Sequence, residues 1–386
     1  MRLVVLGHND WWVWERQGFS MRNAALVREL SRRDEIDGVA VVDDPRFGRR
    51  THRPPARRAE SVSAVADKVR AVRYAAPLPL PAKARAGRRL NERVARPALA
   101  RRLRDALAGW AGPTVVWVAD PRLVAAGLAL PRDLLVFDAI DDWRAHAWAG
   151  RATVEEGYGL AGLHADVVFA VHPSLLEWIA PRGRAEFLPN AVDPARWAGA
   201  EAAPELASLP RPLAAYAGTI QGRLDVALLG AVAAALPDAT FALVGRVGRA
   251  VEGALDALPR NVRLLPALRH DGLPPVVAAC DAGIVPHVHD ALTASMDPLK
   301  LYEYLAAGLP VVSTVASPNP ALGGEVHVAR GAEAFAAALR RELAADGPER
   351  RAARRRAVAG ETWAARADRV LAVLDEALRA RSGGRP

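Results

Sequence analysis

Twice along this chain, short and almost wholly apolar runs alternate with segments of helical period. The first set of expected strands is Arg2–Gly7, Val39–Val42, Thr114–Val118, Leu134–Asp138 and Asp166–Val171, with a strand-like Val69–Tyr74 between them. A helix is expected over about Met21–Ser31, where Leu26 and Leu30 stand four apart. A run with no polar face is a strand buried on both sides, the condition of a parallel sheet covered by helices. Around 190–212 the alternation stops. Pro194, Pro204, Pro210 and Pro212, with scattered Ala and Glu, read as an interdomain linker. A second set follows: strands over Leu213–Ala217, Phe241–Gly245, Val262–Leu265, Ala282–Val285 and Pro310–Thr314, and helices over Leu224–Leu236 and Pro274–Cys280. Trp363–Ala380 reads as a long terminal helix. The expected organisation is two doubly wound α/β domains, 1–195 completed by 364–386, and 196–363. A length of 386 residues suits two cores better than one. Open sheets of this kind bind ligands beyond the carboxyl ends of their strands, so chemistry is expected in a cleft between the domains.

The first domain is where the charge sits. Residues 46–104 hold 18 Lys and Arg against Glu60, Asp67 and Glu92, a net charge of +15; the whole chain carries +9, so the rest stands at −6. Such a segment attracts an anionic membrane surface, a phosphorylated acceptor or nucleic acid, or is a solvated face with no partner. No nucleic acid is expected, because no helix-turn-helix spacing, zinc-finger ligand set or aromatic RNA-binding strand accompanies the charge. The single cysteine, Cys280, excludes an internal disulfide framework and a cysteine-based zinc site. His287 and His289 form a His-x-His pair with no third ligand near them in sequence, so no metal site is read. No apolar run approaches the roughly 18 residues of a membrane span. Met1–Gly7 is too short for a signal peptide and runs straight into His8-Asn9-Asp10. A cytoplasmic protein, peripheral at the membrane if the basic segment docks there, is the expectation.

Residues 297–314, Asp-Pro-Leu-Lys-Leu-Tyr-Glu-Tyr-Leu-Ala-Ala-Gly-Leu-Pro-Val-Val-Ser-Thr, carry the most information about function. They predict a helix ended by Gly308 and then a buried strand. Lys300 and Glu303 are three apart, on one helix face. Two readings stand: a surface ion pair, or a nucleotide site in which Lys300 and the helix start meet phosphates while Glu303 accepts both ribose hydroxyls. Composition favours the second. The chain has three lysines, Lys68, Lys83 and Lys300, against 49 arginines. A lysine kept where arginine is the default marks a place for a compact ammonium.

This segment resembles the nucleotide-sugar signature of GT-B glycosyltransferases, family-4-like, and is most similar to the teichuronic-acid-type enzymes of polysaccharide biosynthesis. Four further stretches fit the same family in order: Asp138–Trp143, Leu188–Asp193, Tyr216–Asp225 and Glu361–Arg366. The resemblance implies a GT-B fold whose C-terminal helix crosses back to the first domain. It implies a nucleoside-diphosphate sugar donor on the second domain, a hydroxyl acceptor on the first, and no metal or other cofactor.

The donor set begins with Gly218, Thr219 and Arg223 after the first strand of the second domain, where glycine lets backbone N–H groups approach phosphate. Gly245 and Arg246 repeat the pattern after the next strand. Ordinary strand-to-helix turns with surface arginines are the other reading of both. Lys300, Leu301 and Glu303 complete the set. Retaining GT-B enzymes commonly carry a second carboxylate in a Glu-x7-Glu pattern; here that position is Ser295, with Asp297 two residues on. Thr293 and Ser295 either bond the diphosphate or sugar, or cap a helix. On the first domain, Asp138, Asp141 and Asp142 follow a buried strand. The resemblance gives Asp141, then Asp142, the role of taking the proton from the acceptor hydroxyl; capping the next helix is the alternative. The polar, Trp-rich first loop, with His8, Asn9, Asp10 and Trp11, suits an acceptor sugar face or plain packing.

The function expected is glycosyl transfer to a cell-surface glycan, a lipid-linked intermediate or a natural product. A nucleotide-sugar epimerase of the same architecture is the second reading. A non-enzymatic nucleotide- or nucleic-acid-binding module is the third, and it lacks a Gly-x-Gly-x-x-Gly after the first strand, which reads Gly7-His8-Asn9-Asp10.

Overall fold

The computed structural model describes residues 1–43, 46–47, 55–57, 60–76, 85–146 and 150–383. Parts of the basic segment, including Arg49, Arg50, Arg53, Arg58 and Lys83, lie outside the described residues. The chain divides into two compact units, 1–188 with 366–386, and 189–365.

The first unit is built on an eight-stranded sheet. In spatial order its strands are Arg184–Phe187, Val167–Ala170, Leu134–Ala139, Thr114–Val118, Arg2–Leu6, Gly38–Val42, Val69–Val72 and Val62–Ala66. All pair in parallel except the last, which runs antiparallel along the edge. The apolar runs are buried on both faces as expected: Gly38–Val42, Thr114–Val118 and Leu134–Ala139 have no exposed position. The terminal helix, Trp363–Gly383, belongs here for most of its length. Val370, Val373 and Leu374 are fully buried, and Arg369 bonds Glu186.

The second unit holds a six-stranded, all-parallel sheet: Val262–Leu265, Thr240–Val244, Leu213–Ala217, Ala282–Val285, Val311–Ser313 and Val326–Val328. The chain lays strands to one side of Leu213–Ala217, then returns to the other side. The order therefore reverses between Leu213–Ala217 and Ala282–Val285, and the loops at their carboxyl ends diverge and leave a crevice. In the first unit the reversal falls between Arg2–Leu6 and Thr114–Val118.

Three expectations are corrected. The Trp-rich loop is a short helix, Trp11–Arg16, capped by Asp10; Trp11, Trp12 and Trp14 are buried. Residues 190–212 are no linker. The helix Pro194–Ala198 packs into the second unit through Trp197, 2% exposed, and Leu206 joins the same core. Prolines there start turns, at Pro194 and Pro204, where a missing N–H has no cost. Asp138 does not emerge from its strand. It is the fifth residue of Leu134–Ala139, fully buried, with Arg22 Nη2 at 3.0 Å. Burial raises its carboxyl above the ordinary range while Arg22 pulls the other way.

Candidate functional site

In the second unit the crevice is braced from three loops. Gly218 N donates to Val244 O, Ile220 N to Arg246 O and Val288 N to Arg223 O. The approach of the first two loops requires glycine: a Cβ on Gly245 would lie 1.9 Å from Gly218 O. A Cβ on Gly218 would stand 3.2 Å from Lys300 Nζ, so the ammonium is packed at the loop backbone. Lys300 Nζ also sits 4.1 Å from the centroid of the Tyr216 ring. The helix that carries it, Leu299–Ala307, ends at Gly308 with φ +87°. This is the left-handed stop read from the sequence.

Glu303, three residues on, does not pair with Lys300. It is 7% exposed, and its Oε1 lies 2.5 Å from His270 Nε2. The surface-ion-pair reading is thereby overturned. His287, 1% exposed, has Nε2 3.3 Å from the Tyr216 hydroxyl. Burial first, then neighbouring Lys300 and Arg223, hold its pKa well below the ordinary histidine range. The ring stays neutral at pH 7, and the positive potential it feels is what an anion would be drawn to. Arg223 is half-buried at this crevice, whereas Arg246 and Thr219 are exposed on its loops.

Several expected donor residues have other work. Leu301 is fully buried in the core beneath the helix, so its role is packing. Thr293 forms a capping box with Asp290 and donates to Val288 O; Ser295 Oγ bonds the carbonyls of Ala291 and Leu292. For both, local bonding within the short helix Ala291–Ala294 and its flanks is what the geometry provides. Asp297 does not stand in for the carboxylate missing at 295. Its Oδ2 accepts from Asn190 N and the Tyr302 hydroxyl, and its Oδ1 from Ser317. Asn319 then joins Tyr302 to Glu361. Three stretches of the sequence resemblance, around Asn190, Tyr302 and Glu361, thus meet in one buried polar network.

In the first unit, Asp142 caps the turn Trp143–Ala145 and is paired twice with Arg144, at 2.9 and 2.7 Å. The capping alternative holds for it, and it is withdrawn as a catalytic group. Asp141 is different. Its side chain is 23% exposed and its Oδ2 lies 3.1 Å from His146 Nε2. Tyr158 pins the turn, donating to Asp141 O and accepting from Trp143 N. Of the acceptor-side candidates, Asp10 is a helix cap 3% exposed, Asn9 Nδ2 donates to Met21 Sδ, and Trp11 packs edge-on to Phe19. His8 meets Trp143 edge-to-face at 4.8 Å, at the carboxyl end of Arg2–Leu6. Sequence reasoning gave no role to His146 or His270, and read His287 only as half of a His-x-His pair. His146 lies three residues past the Asp138–Trp143 stretch, His270 and His287 lie outside the family-like stretches, and the partner of each is set by the fold. Among the described residues no three His, Cys, Asp or Glu side chains gather as a metal site, and no helix is long and apolar enough to cross a membrane.

Residues 215–345 match the family described as glycosyl transferases group 1. The second unit carries a group 1 glycosyl transferase domain. The crevice with Lys300 and Glu303 lies within the transferase domain. Both units together have the GT-B fold. Anabaena Alr3699/HepE, solved with UDP and glucose, superposes with TM-score 0.64 at 13% identity, covering 97% of this chain and 99% of that one. A trehalose-6-phosphate synthase, studied for glycosyl transfer with retention, gives 0.63 at 12%, over 97% and 99%. AviGT4, a glycosyltransferase involved in avilamycin A biosynthesis, gives 0.57 at 14%, over 100% and 98%. At these identities the likeness is one of fold. No curated protein matches the chain. With the domain match and the fold together, the chain is a glycosyltransferase; neither comparison supports the epimerase reading.

Proposed function

We propose that this enzyme moves a sugar from a uridine-diphosphate sugar to a hydroxyl acceptor, with the donor held in the crevice of the second unit. The observation that carries this is the separation of Lys300 from Glu303. The ammonium is packed at the glycine loop, where phosphates are met by backbone N–H groups, and the carboxylate remains a charged acceptor for ribose hydroxyls. Arg223 adds a second cation for the diphosphate. The Anabaena HepE structures hold UDP, UDP with glucose, and UDP-glucose, which supports uridine as the base. Asp141, with His146 against it, is the group that takes the acceptor proton as the oxygen attacks the anomeric carbon. The leaving diphosphate is stabilised by Lys300, Arg223 and backbone dipoles, with no metal required. Polysaccharide assembly of the teichuronic-acid type, at the inner face of a membrane reached through the basic helix Arg85–Leu107, is the physiological setting this reading favours.

A thermal-shift panel of nucleoside diphosphates and their sugars tests the donor, with and without EDTA. UDP and a UDP-sugar should raise the melting temperature more than GDP or TDP, and EDTA should not remove the shift. No shift with any nucleotide, or one that requires magnesium or manganese, contradicts the reading.

A further inference from the structure

We propose that His270 is a positioning residue of the donor site, holding the Glu303 carboxylate in the orientation that accepts the ribose hydroxyls. This rests on the assignment of Glu303 to the ribose made above. His270 opens the single turn His270–Gly272, directly before the helix Leu273–Ala278. Its Nε2 is 2.5 Å from Glu303 Oε1, across 33 residues of sequence, and the two side chains are only 18% and 10% exposed.

The proton of this bond must sit on the histidine, because an ionised carboxylate only accepts. The other ring nitrogen, Nδ1, is buried with no hydrogen-bond partner among the described residues. A buried N–H left unpaired is the less tolerated state, so the ring is best satisfied as the neutral tautomer with hydrogen on Nε2. In that form it orients Glu303 without cancelling its charge. The carboxylate keeps all of Oε2 and a lone pair of Oε1 for other donors, enough for a pair of vicinal hydroxyls.

The ring itself is held. Trp197 meets it edge-on, with centroids 5.7 Å apart. Trp197 is buried and comes from the helix Pro194–Ala198, the segment whose prolines read as a linker. The relay Trp197–His270–Glu303 gives this segment a purpose: it stops the imidazole from turning away, and the imidazole stops the carboxylate from sampling other rotamers. Binding is tighter when such groups need not be ordered by the ligand.

The test is calorimetric titration of UDP and 2′,3′-dideoxy-UDP into the full chain and its variants. His270→Phe keeps a ring against Trp197 and removes the donor; His270→Ala serves if the larger ring does not fit. His270→Gln keeps an N–H donor. The wild type should prefer UDP over the dideoxy compound by about tenfold or more, the worth of hydrogen bonds to a charged group. His270→Phe should shrink that preference to about twofold with dideoxy-UDP affinity unchanged, and His270→Gln should restore part of it. A preference untouched by His270→Phe and His270→Ala, or an equal loss for both nucleotides, overturns the positioning role. A wild type that binds both nucleotides equally overturns the ribose role of Glu303 instead, and one that binds neither overturns the uridine donor on which both stand.

Discussion

Lys300 and Glu303 leave one helix toward different partners. Their separation of three places them on one helix face, and the sequence alone allowed them to satisfy each other. The fold gives each a different neighbour: Tyr216 for the lysine, His270 for the glutamate. Those neighbours are 84 and 33 residues distant, which is why no local pattern announced them. Asp141 and Asp142 make the same point. Adjacent and chemically identical, they separate only because Arg144 reaches back to one and His146 to the other. Asp141→Asn should lower turnover by roughly 10²–10⁴, the usual worth of a positioned acid–base group. Donor affinity should stay near the wild-type value, because the donor is assigned to the other unit. Single-turnover rates with donor affinity measured in parallel check this; normal turnover in the folded variant would remove Asp141 from the mechanism.

Elements were legible where their burial is symmetric and illegible where it depends on a partner. The strands Thr114–Val118, Leu213–Ala217 and Ala282–Val285 are apolar at nearly every position, and such runs fit only the middle of a covered sheet. The helix Trp11–Arg16 was hidden because its tryptophans look like a sticky loop until Asp10 is seen bonding Val13 N. The helix Arg85–Leu107 is two-sided. Ala95, Leu99, Leu103 and Ala106 lie on the core of the first unit, while Arg93, Arg96, Arg101 and Arg104 face solvent with Leu90 and Val94. A basic outer face bearing exposed apolar side chains suits an anionic lipid surface. Sedimentation with anionic liposomes should capture the enzyme at low salt and release it as salt rises, and replacing Arg93, Arg96, Arg101 and Arg104 by Gln should weaken capture at every salt. Equal capture by neutral liposomes, or none by either, would leave these arginines as solvated surface.

At the scale of the whole molecule, the two alternating sets of strands and helices foretold two parallel-sheet units, and the signature around Lys300 foretold a group 1 transferase domain. What one dimension could not show is how separate motifs converge. Asn190, Asp297, Tyr302, Asn319 and Glu361 form one network that fixes the start of the Lys300 helix, so stretches that resembled a family for no visible reason share a structural task. The central assignment is that this helix holds the nucleotide of a sugar donor. The most direct test is titration of UDP into the wild type and Glu303→Ala, with melting curves of both. Glu303→Ala should lose affinity by at least roughly tenfold, from about 1.5–3 kcal/mol of hydrogen bonding to a charged group, while still unfolding cooperatively. Unchanged UDP affinity in a folded Glu303→Ala protein would contradict the assignment.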